Sequence, residues 1–155
     1  NLNAIDALKD FKLNNGRSEE IDINGVKTII NLAKNPTGAN VSLRMLNEDK
    51  EEKELLFVLN DNPADGLDVS WIYDINFETV NVKRIITSGK RAYDMAIRIK
   101  TSFFDKDNIE AYLSIEEAVK SLYSSDVKKY VIANYTALQP TRKALLEYKK
   151  ETKKE

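Results

Sequence analysis

The sequence predicts an α/β fold: a mainly parallel central sheet with helices on both faces, preceded by an antiparallel hairpin. Three observations carry that expectation. Strand-length apolar runs alternate with segments of helical period through most of the chain, an order that builds parallel sheets covered by helices. One run, Leu55-Leu56-Phe57-Val58-Leu59, is continuously apolar, as a strand covered on both faces is. Asn24-Gly25 is a two-residue hairpin signal set between two strand-like stretches.

Ala4, Ile5, Leu8 and Phe11 recur at helical spacing and predict a short opening helix, broken by Asn14-Asn15-Gly16. Ile21 and Ile23 alternate with polar residues, as in a half-buried strand, and Val26 to Ala33 forms its hairpin partner. After the loop Lys34-Asn35-Pro36-Thr37-Gly38, Ala39, Leu43 and Leu46 share one helical face. The charge run from Glu48 to Lys53 reads as a surface turn before the Leu55 to Leu59 strand. A polar segment, Asn60 to Asp68, follows directly. Val82 to Thr87 is the next buried strand. Ser88-Gly89 then turns the chain into a helix with Ala92, Met95, Ala96, Ile99 and Phe103 on one face. Ile109 to Leu113 is a short strand. Ser114 and Glu117 form a capping box ahead of Ile115, Ala118, Val119 and Leu122. Tyr130 to Ala133 is the last strand, and a helix runs from about Thr141 to the end. About five or six strands is the expected sheet size.

With 155 residues the chain suits one domain that can bury a core without disulfides. Apolar residues make up 42% of it, which argues against disorder. There is no Cys and no His, so a thiolate nucleophile, the usual zinc ligands and the usual base near neutral pH are all missing. No metal site is expected. A net charge of −1 offers nothing to nucleic acid. Lys149, Lys150, Lys153 and Lys154 are interleaved with Glu147, Glu151 and Glu155, which describes a solvated helix end. No apolar run approaches the length of a membrane span, so an integral membrane protein is not expected. The first residues carry no signal-peptide core, so the expected location is cytoplasmic, at most at the inner face of the membrane.

In an open parallel sheet, ligands sit beyond the C-terminal ends of the strands. Three polar loops can share that edge: the one at Asn35, the one from Asn60 to Asp68, and the one at Ser88. The densest is Asn60-Asp61-Asn62-Pro63-Ala64-Asp65-Gly66-Leu67-Asp68-Val69-Ser70-Trp71, with Asp74 beyond. Asp61, Asp65 and Gly66 match positions of an EF-hand calcium loop, but Pro63 and Ile72 stand where ligands belong. An Asx-rich turn that caps a strand and starts a short helix accounts for part of the pattern. Four acids in so short a stretch exceed what a turn needs and leave room for a site. Ser88-Gly89-Lys90-Arg91 lacks the leading Gly of a Walker loop. It can be a plain strand-to-helix turn, or a helix N-terminus that holds an anion with help from two cations.

Taken together, these segments resemble one family. Ala33-Lys34-Asn35-Pro36 is similar to the Ala-His-Asn-Pro stretch of Mur ligases and folylpolyglutamate synthases, with Lys34 where those enzymes often carry His. More specific are Asn60-Asp61-Asn62 with Asp65-Gly66, Asp68-Val69-Ser70-Trp71, Asp74 and Phe77-Glu78. To these add Ser88-Gly89-Lys90-Arg91-Ala92 with Asp94-Met95-Ala96, and Asn134-Tyr135-Thr136-Ala137. From about Gly16 to Leu145 the chain resembles the C-terminal domain of the MurT family, the Mur-ligase-like subunits of lipid II isoglutaminyl synthases.

The resemblance implies that residues 1–155 are a single Mur-ligase-type C-terminal domain of a longer protein. Its ATP- and Mg-binding domain and zinc ribbon would lie upstream, with no cofactor held tightly here. The ligase subunit would activate the glutamate α-carboxyl of lipid II as an acyl phosphate. Ammonia released from glutamine by a separate glutaminase subunit, GatD, would displace the phosphate and leave isoglutamine, as a step of peptidoglycan synthesis in the cytoplasm. GatD would supply a Cys nucleophile and a His base in the heterodimer, and an Asp of this domain would complete them. Asp68 is the first candidate for that catalytic carboxylate and Asp65 the second. Asn35, Asp61, Asn62, Ser88 and Arg91 are the candidates for substrate or nucleotide contacts. Two alternatives stand beside this reading: the C-terminal domain of a stand-alone Mur or folylpolyglutamate ligase, and a non-catalytic docking module.

Overall fold

The structure, a computed structural model, describes residues 18–102 and 104–154. The expected opening helix at Ala4 to Phe11 lies outside the described residues, as does Phe103. Six strands form one sheet: β1 (Glu19–Ile23), β2 (Val26–Leu32), β3 (Lys53–Val58), β4 (Ile85–Ser88), β5 (Ile109–Tyr112) and β6 (Lys128–Ala133). Their spatial order is β1-β2-β6-β3-β4-β5. Every pair is parallel except the β1–β2 hairpin. Among the described residues three α-helices connect strands, α1 (Pro36–Glu48), α2 (Ala92–Lys100) and α3 (Ile115–Leu122), and a fourth, α4 (Tyr135–Thr152), follows β6.

The hairpin turns where expected. Asn24 and Gly25 have φ of 54° and 87°, and Ile23 faces Val26 across a two-residue loop. Positive φ at both central residues matches the right-handed strand twist, which is why Asn-Gly serves there. The Gly25 N–H also donates to Asp22 Oδ1 at 2.8 Å.

β3 lies between β6 and β4 with all six residues buried. Its side chains alternate between two cores, as the pleat requires. Leu55, Phe57 and Leu59 pack with Leu43 and Leu46 of α1 and Met95 and Ile99 of α2. Leu56 and Val58 pack with Val119 and Leu122 of α3 and Leu145 of α4. Each such side chain contributes roughly 1.5–3 kcal/mol by leaving water.

Several boundaries differ from the sequence expectation. The charge run does not end as a surface turn: Lys53 is 3% exposed and opens β3, with its ammonium donating to the carbonyls of Asp49 at 2.6 Å and Glu51 at 3.2 Å. β6 starts two residues before Tyr130, because the fully buried Lys129 reaches Glu54 Oε2 at 2.9 Å. β4 starts at Ile85 rather than Val82, although Lys83 N–H already donates to Lys53 O at 2.9 Å. The last helix begins at Tyr135, not near Thr141. Pro140 looks like a helix breaker in sequence, but the helix runs through it, at the cost of the bond its N–H would make and of crowding against the Thr136 carbonyl.

Candidate functional site

The parallel strands β2, β6, β3 and β4 end along one edge, and the residues just past them are tied into a single polar platform. Asn134, after β6, acts as an extra rung of the ladder. Its Oδ1 accepts the Asn60 N–H at 3.0 Å, its Nδ2 donates to Asn60 O at 2.7 Å, and its backbone N–H donates to Val58 O at 3.2 Å. Asn60 passes the connection on, since its Oδ1 accepts the Lys90 N–H at 3.0 Å. Gly89 makes the close approach possible. A Cβ there would lie 2.5 Å from Leu59 O, and its φ is +91°, a conformation only glycine adopts freely.

The acidic loop rises from this platform in three short 3₁₀ turns, Pro63–Asp65, Ser70–Asp74 and Phe77–Thr79. Within and just after the second of these, and at the start of the third, Ile72, Ile75 and Phe77 are fully buried plugs in the core under α1 and α2. Trp71 is half-buried against the same core. Side chains on the two helices clip the loop down. Asn40 of α1 donates to Asp74 O at 3.1 Å and accepts the Asn76 N–H at 2.8 Å. Asn47, two turns on, accepts the Asn81 N–H at 2.9 Å. From α2, Arg98 reaches the carbonyls of Ile72 and Ile75.

The fold sorts the loop acids. Asp61 accepts from Arg91 Nε at 2.8 Å. Asp65 accepts the Thr136 N–H at 2.8 Å, the Thr136 hydroxyl, and the Asn62 N–H at 3.1 Å. It thereby anchors the loop to the first turn of α4, where a carboxylate also suits the helix dipole. Asp68 is different. It stands exposed, and its Oδ1 accepts the Ser70 N–H at 2.8 Å. Ser70, through its backbone amide first, holds the Asp68 carboxyl below the usual carboxylate range, so it is ionised at neutral pH.

The remaining candidates are placed as follows. Asn35 is the N-cap of α1 and accepts the Gly38 N–H at 2.9 Å. Asn62 donates to Thr136 Oγ1 at 2.9 Å and accepts from the Lys90 ammonium. Ser88 is fully buried and its hydroxyl finds no partner among the described residues. Arg91 is held by Asp61 and, at 3.5 Å, by Asp94. Asp61, Asn62, Lys90 and Arg91 therefore converge, while Asn35 and Asp68 each serve their own local turn.

A nucleotide phosphate at the Ser88–Arg91 turn would need free amides. Those of Lys90 and Arg91 already donate to Asn60 Oδ1 and Leu59 O, the latter at 3.0 Å. Neither of those two amides is free for an anion there. Sequence reasoning placed Asn134 and Thr136 only within a motif, and did not single out Lys34 or Tyr135 as site residues. Lys34, Ala64, Asp65, Asn134 and Tyr135 line an open cleft of about 310 Å³, with the Lys34 ammonium 5.5 Å from the centre of the Tyr135 ring. The signal available in sequence was a shared position past strand ends, which needs the strand order to be read. Among the described residues no three His, Cys, Asp or Glu side chains converge as a metal-ligand set, and no helix is long and apolar enough to cross a membrane.

Residues 32–138 match the protein family described as MurT ligase C-terminal. The chain is 35% identical over 137 residues to the MurT subunit of lipid II isoglutaminyl synthase (glutamine-hydrolyzing) from Staphylococcus aureus, and 31% identical over 134 residues to that of Streptococcus pneumoniae. Each alignment covers 84% of this chain and 30% of the relative, so the chain spans under a third of those proteins. Among solved structures it is similar to MurF from Acinetobacter baumannii, with a TM-score of 0.63 and 14% identity over 87% of this chain and 30% of that one. Folylpolyglutamate synthase from Thermotoga maritima gives 0.55 and 24% over 77% and 28%. At such identities the structural likeness speaks to the fold alone.

Proposed function

The chain belongs to the MurT ligase C-terminal family, and from this we infer that it is one domain of the ligase subunit of a glutamine- and ATP-dependent amidotransferase. The reaction is amidation of the lipid II glutamate to isoglutamine in peptidoglycan synthesis. The partner is a glutaminase subunit of the GatD kind. The complex would work in the cytoplasm, on a precursor held at the inner face of the membrane. ATP and Mg would supply carboxyl activation from the upstream part of the full-length subunit. No step is routed through the Ser88–Arg91 turn, whose amides are occupied within the fold.

This domain's own contribution is a carboxylate. With no Cys and no His it has neither a thiolate nucleophile nor an imidazole base, and by itself it is expected to be inactive toward glutamine. A carboxylate that accepts Nδ1–H from a His fixes the tautomer and stabilises the imidazolium, and it can do so from another chain. Among Asp61, Asp65 and Asp68, one observation favours Asp68 for that role. Asp61 and Asp65 are engaged inside the domain, whereas Asp68 presents an ionised, exposed carboxylate held by the neighbouring Ser70.

The test is Asp68→Asn in the full-length subunit assembled with its glutaminase. Glutamine hydrolysis should fall by roughly 10²–10⁴-fold, as when a triad carboxylate is neutralised, while subunit binding and melting temperature hold. Wild-type turnover would sink the reading. If turnover stays high and Asp65→Asn abolishes it, the role moves to Asp65. A docking module would instead show weakened binding with turnover in the bound state intact. A stand-alone ligase would need no glutaminase and would accept a free amino acid.

A further inference from the structure

The segment that carries Asp68 belongs to no strand, yet it is held in one shape, and one side chain makes three of the polar contacts that hold it. Arg98 sits in the last turn of α2 and is 5% exposed. Its Nε donates to Ile72 O at 3.2 Å and its Nη2 to Ile75 O at 2.7 Å and Glu78 Oε1 at 2.9 Å. Its Nη1 donates to Thr101 Oγ1 at 3.1 Å, back on its own helix end. The guanidinium carbon lies 5.8 Å from the Tyr73 ring centre and 5.7 Å from that of Phe77. Three donor bonds and two ring contacts thus grip residues 72, 73, 75, 77 and 78 at once.

These contacts reach Asp68 through one short turn. Ile72 O, held by Arg98, closes the 3₁₀ turn that starts at Ser70, and the Ser70 N–H is the donor that fixes Asp68 Oδ1. The Ile72 N–H donates to Val69 O at 3.1 Å and closes the turn around Ser70 and Trp71. On the far side of the loop, Asn40 pins Asp74 and Asn76 in the same way.

We propose that Arg98 is a positioning residue: through Ile72 and Ser70 it holds the Asp68 carboxylate at the place and angle where an imidazole from the partner subunit must meet it. This rests on the function proposed above. The planar guanidinium is required, because a lysine ammonium carries its three donors on one atom and cannot span the separate acceptors at Ile72, Ile75, Glu78 and Thr101 while keeping both ring contacts. Misplacing a group that acts in the reaction by about 1 Å is enough to cost about a hundredfold in rate.

The experiment is a double-mutant cycle on the full-length subunit assembled with its glutaminase. Arg98→Lys and Asp68→Asn are made alone and together, and kcat and KM for glutamine, subunit Kd and amide exchange at residues 69–76 are measured. Arg98→Lys should lower kcat by about tenfold or more, leave KM and Kd within about twofold, and speed exchange of the Ser70 amide. In the Asp68→Asn background it should cause no further loss, because both changes act on one group. Equal losses in both backgrounds, or wild-type kcat for Arg98→Lys, would overturn the proposal. If Asp68→Asn alone leaves turnover unchanged, the underlying functional reading fails, which is a different result from an additive cycle. Should Arg98→Lys not fold, Asn40→Ala loosens the same segment from the other side. A lower kcat at unchanged KM, absent in the Asp68→Asn background, supports the proposal, and an unchanged kcat overturns it.

Discussion

Replacing Asp65 with asparagine separates the two carboxylates by stability rather than by activity. Asp65 Oδ1 accepts the Thr136 N–H, and Oδ2 accepts the Asn62 N–H and the Thr136 hydroxyl. An asparagine amide has one oxygen, so its NH₂ must face one of those two backbone donors whichever way it is turned. Leaving a donor without an acceptor costs about 1–3 kcal/mol, and losing the charge weakens the bonds that remain. Asp65 is only half-buried, and solvent softens both effects. The balance is a loss of about 2 kcal/mol, or roughly 4–8 °C in melting temperature for a domain of this size. The assay is thermal and urea unfolding of Asp65→Asn beside Asp68→Asn. Asp65→Asn should melt early, and Asp68→Asn should melt with the wild type because its carboxylate binds the neighbouring Ser70 at the surface. An Asp65→Asn domain as stable as the wild type would refute the anchoring of the loop to α4.

Two further outcomes concern buried contacts elsewhere in the sheet. Gly89→Ala should destabilise the domain by roughly 2–4 kcal/mol in urea melts, because the new Cβ would sit 2.5 Å from Leu59 O and 2.8 Å from Asn60 Oδ1. Stability should fall as pH drops below about 4. Burial alone would raise the carboxyls of Asp49 and Glu54, but Lys128 and Tyr130 around Asp49, and Arg84 and Lys129 around Glu54, hold both below their usual values. The unfolded chain then takes up protons that the folded one refuses, so the stabilisation present near neutrality is lost on acidification. Asp49→Asn should flatten that slope in urea melts taken across the acid range.

The hairpin, the buried β3 and the α/β order were legible in the sequence because each rests on a local signal. Asn24-Gly25 encodes its own φ angles, and Leu55 to Leu59 is apolar whichever face is considered. What was not legible depends on partners far along the chain. Lys128 and Lys129 look like solvent residues until Asp49 and Glu54 stand opposite them. Arg98 reads as one more polar position on α2, although the carbonyls it grips lie 26 and 23 residues earlier. Pro140 hides the start of α4, which is set by Asn134 and by Asp65, 71 positions away. Ile72, Ile75 and Phe77 follow neither a period of two nor one of 3.6, so periodicity does not find them, and they form 3₁₀ plugs.

The acidic loop shows why its residues could be collected from sequence but not ranked. Asp61, Asp65 and Asp68 share one side-chain chemistry and one short stretch, and what separates them is the other end of each hydrogen bond. Arg91 takes the first and Thr136 the second, so both acids act on the shape of the loop. The third is left outward by a turn whose inner face is packed by Ile72 and whose carbonyls are gripped by Arg98. A carboxylate meant to serve a histidine from another chain needs that combination. It must be exposed enough to be met and fixed enough to cost little entropy on meeting. A loop with no strand of its own satisfies both demands here because its rigidity comes from core plugs and side-chain clips on α1 and α2, which leave the outer rim uncovered.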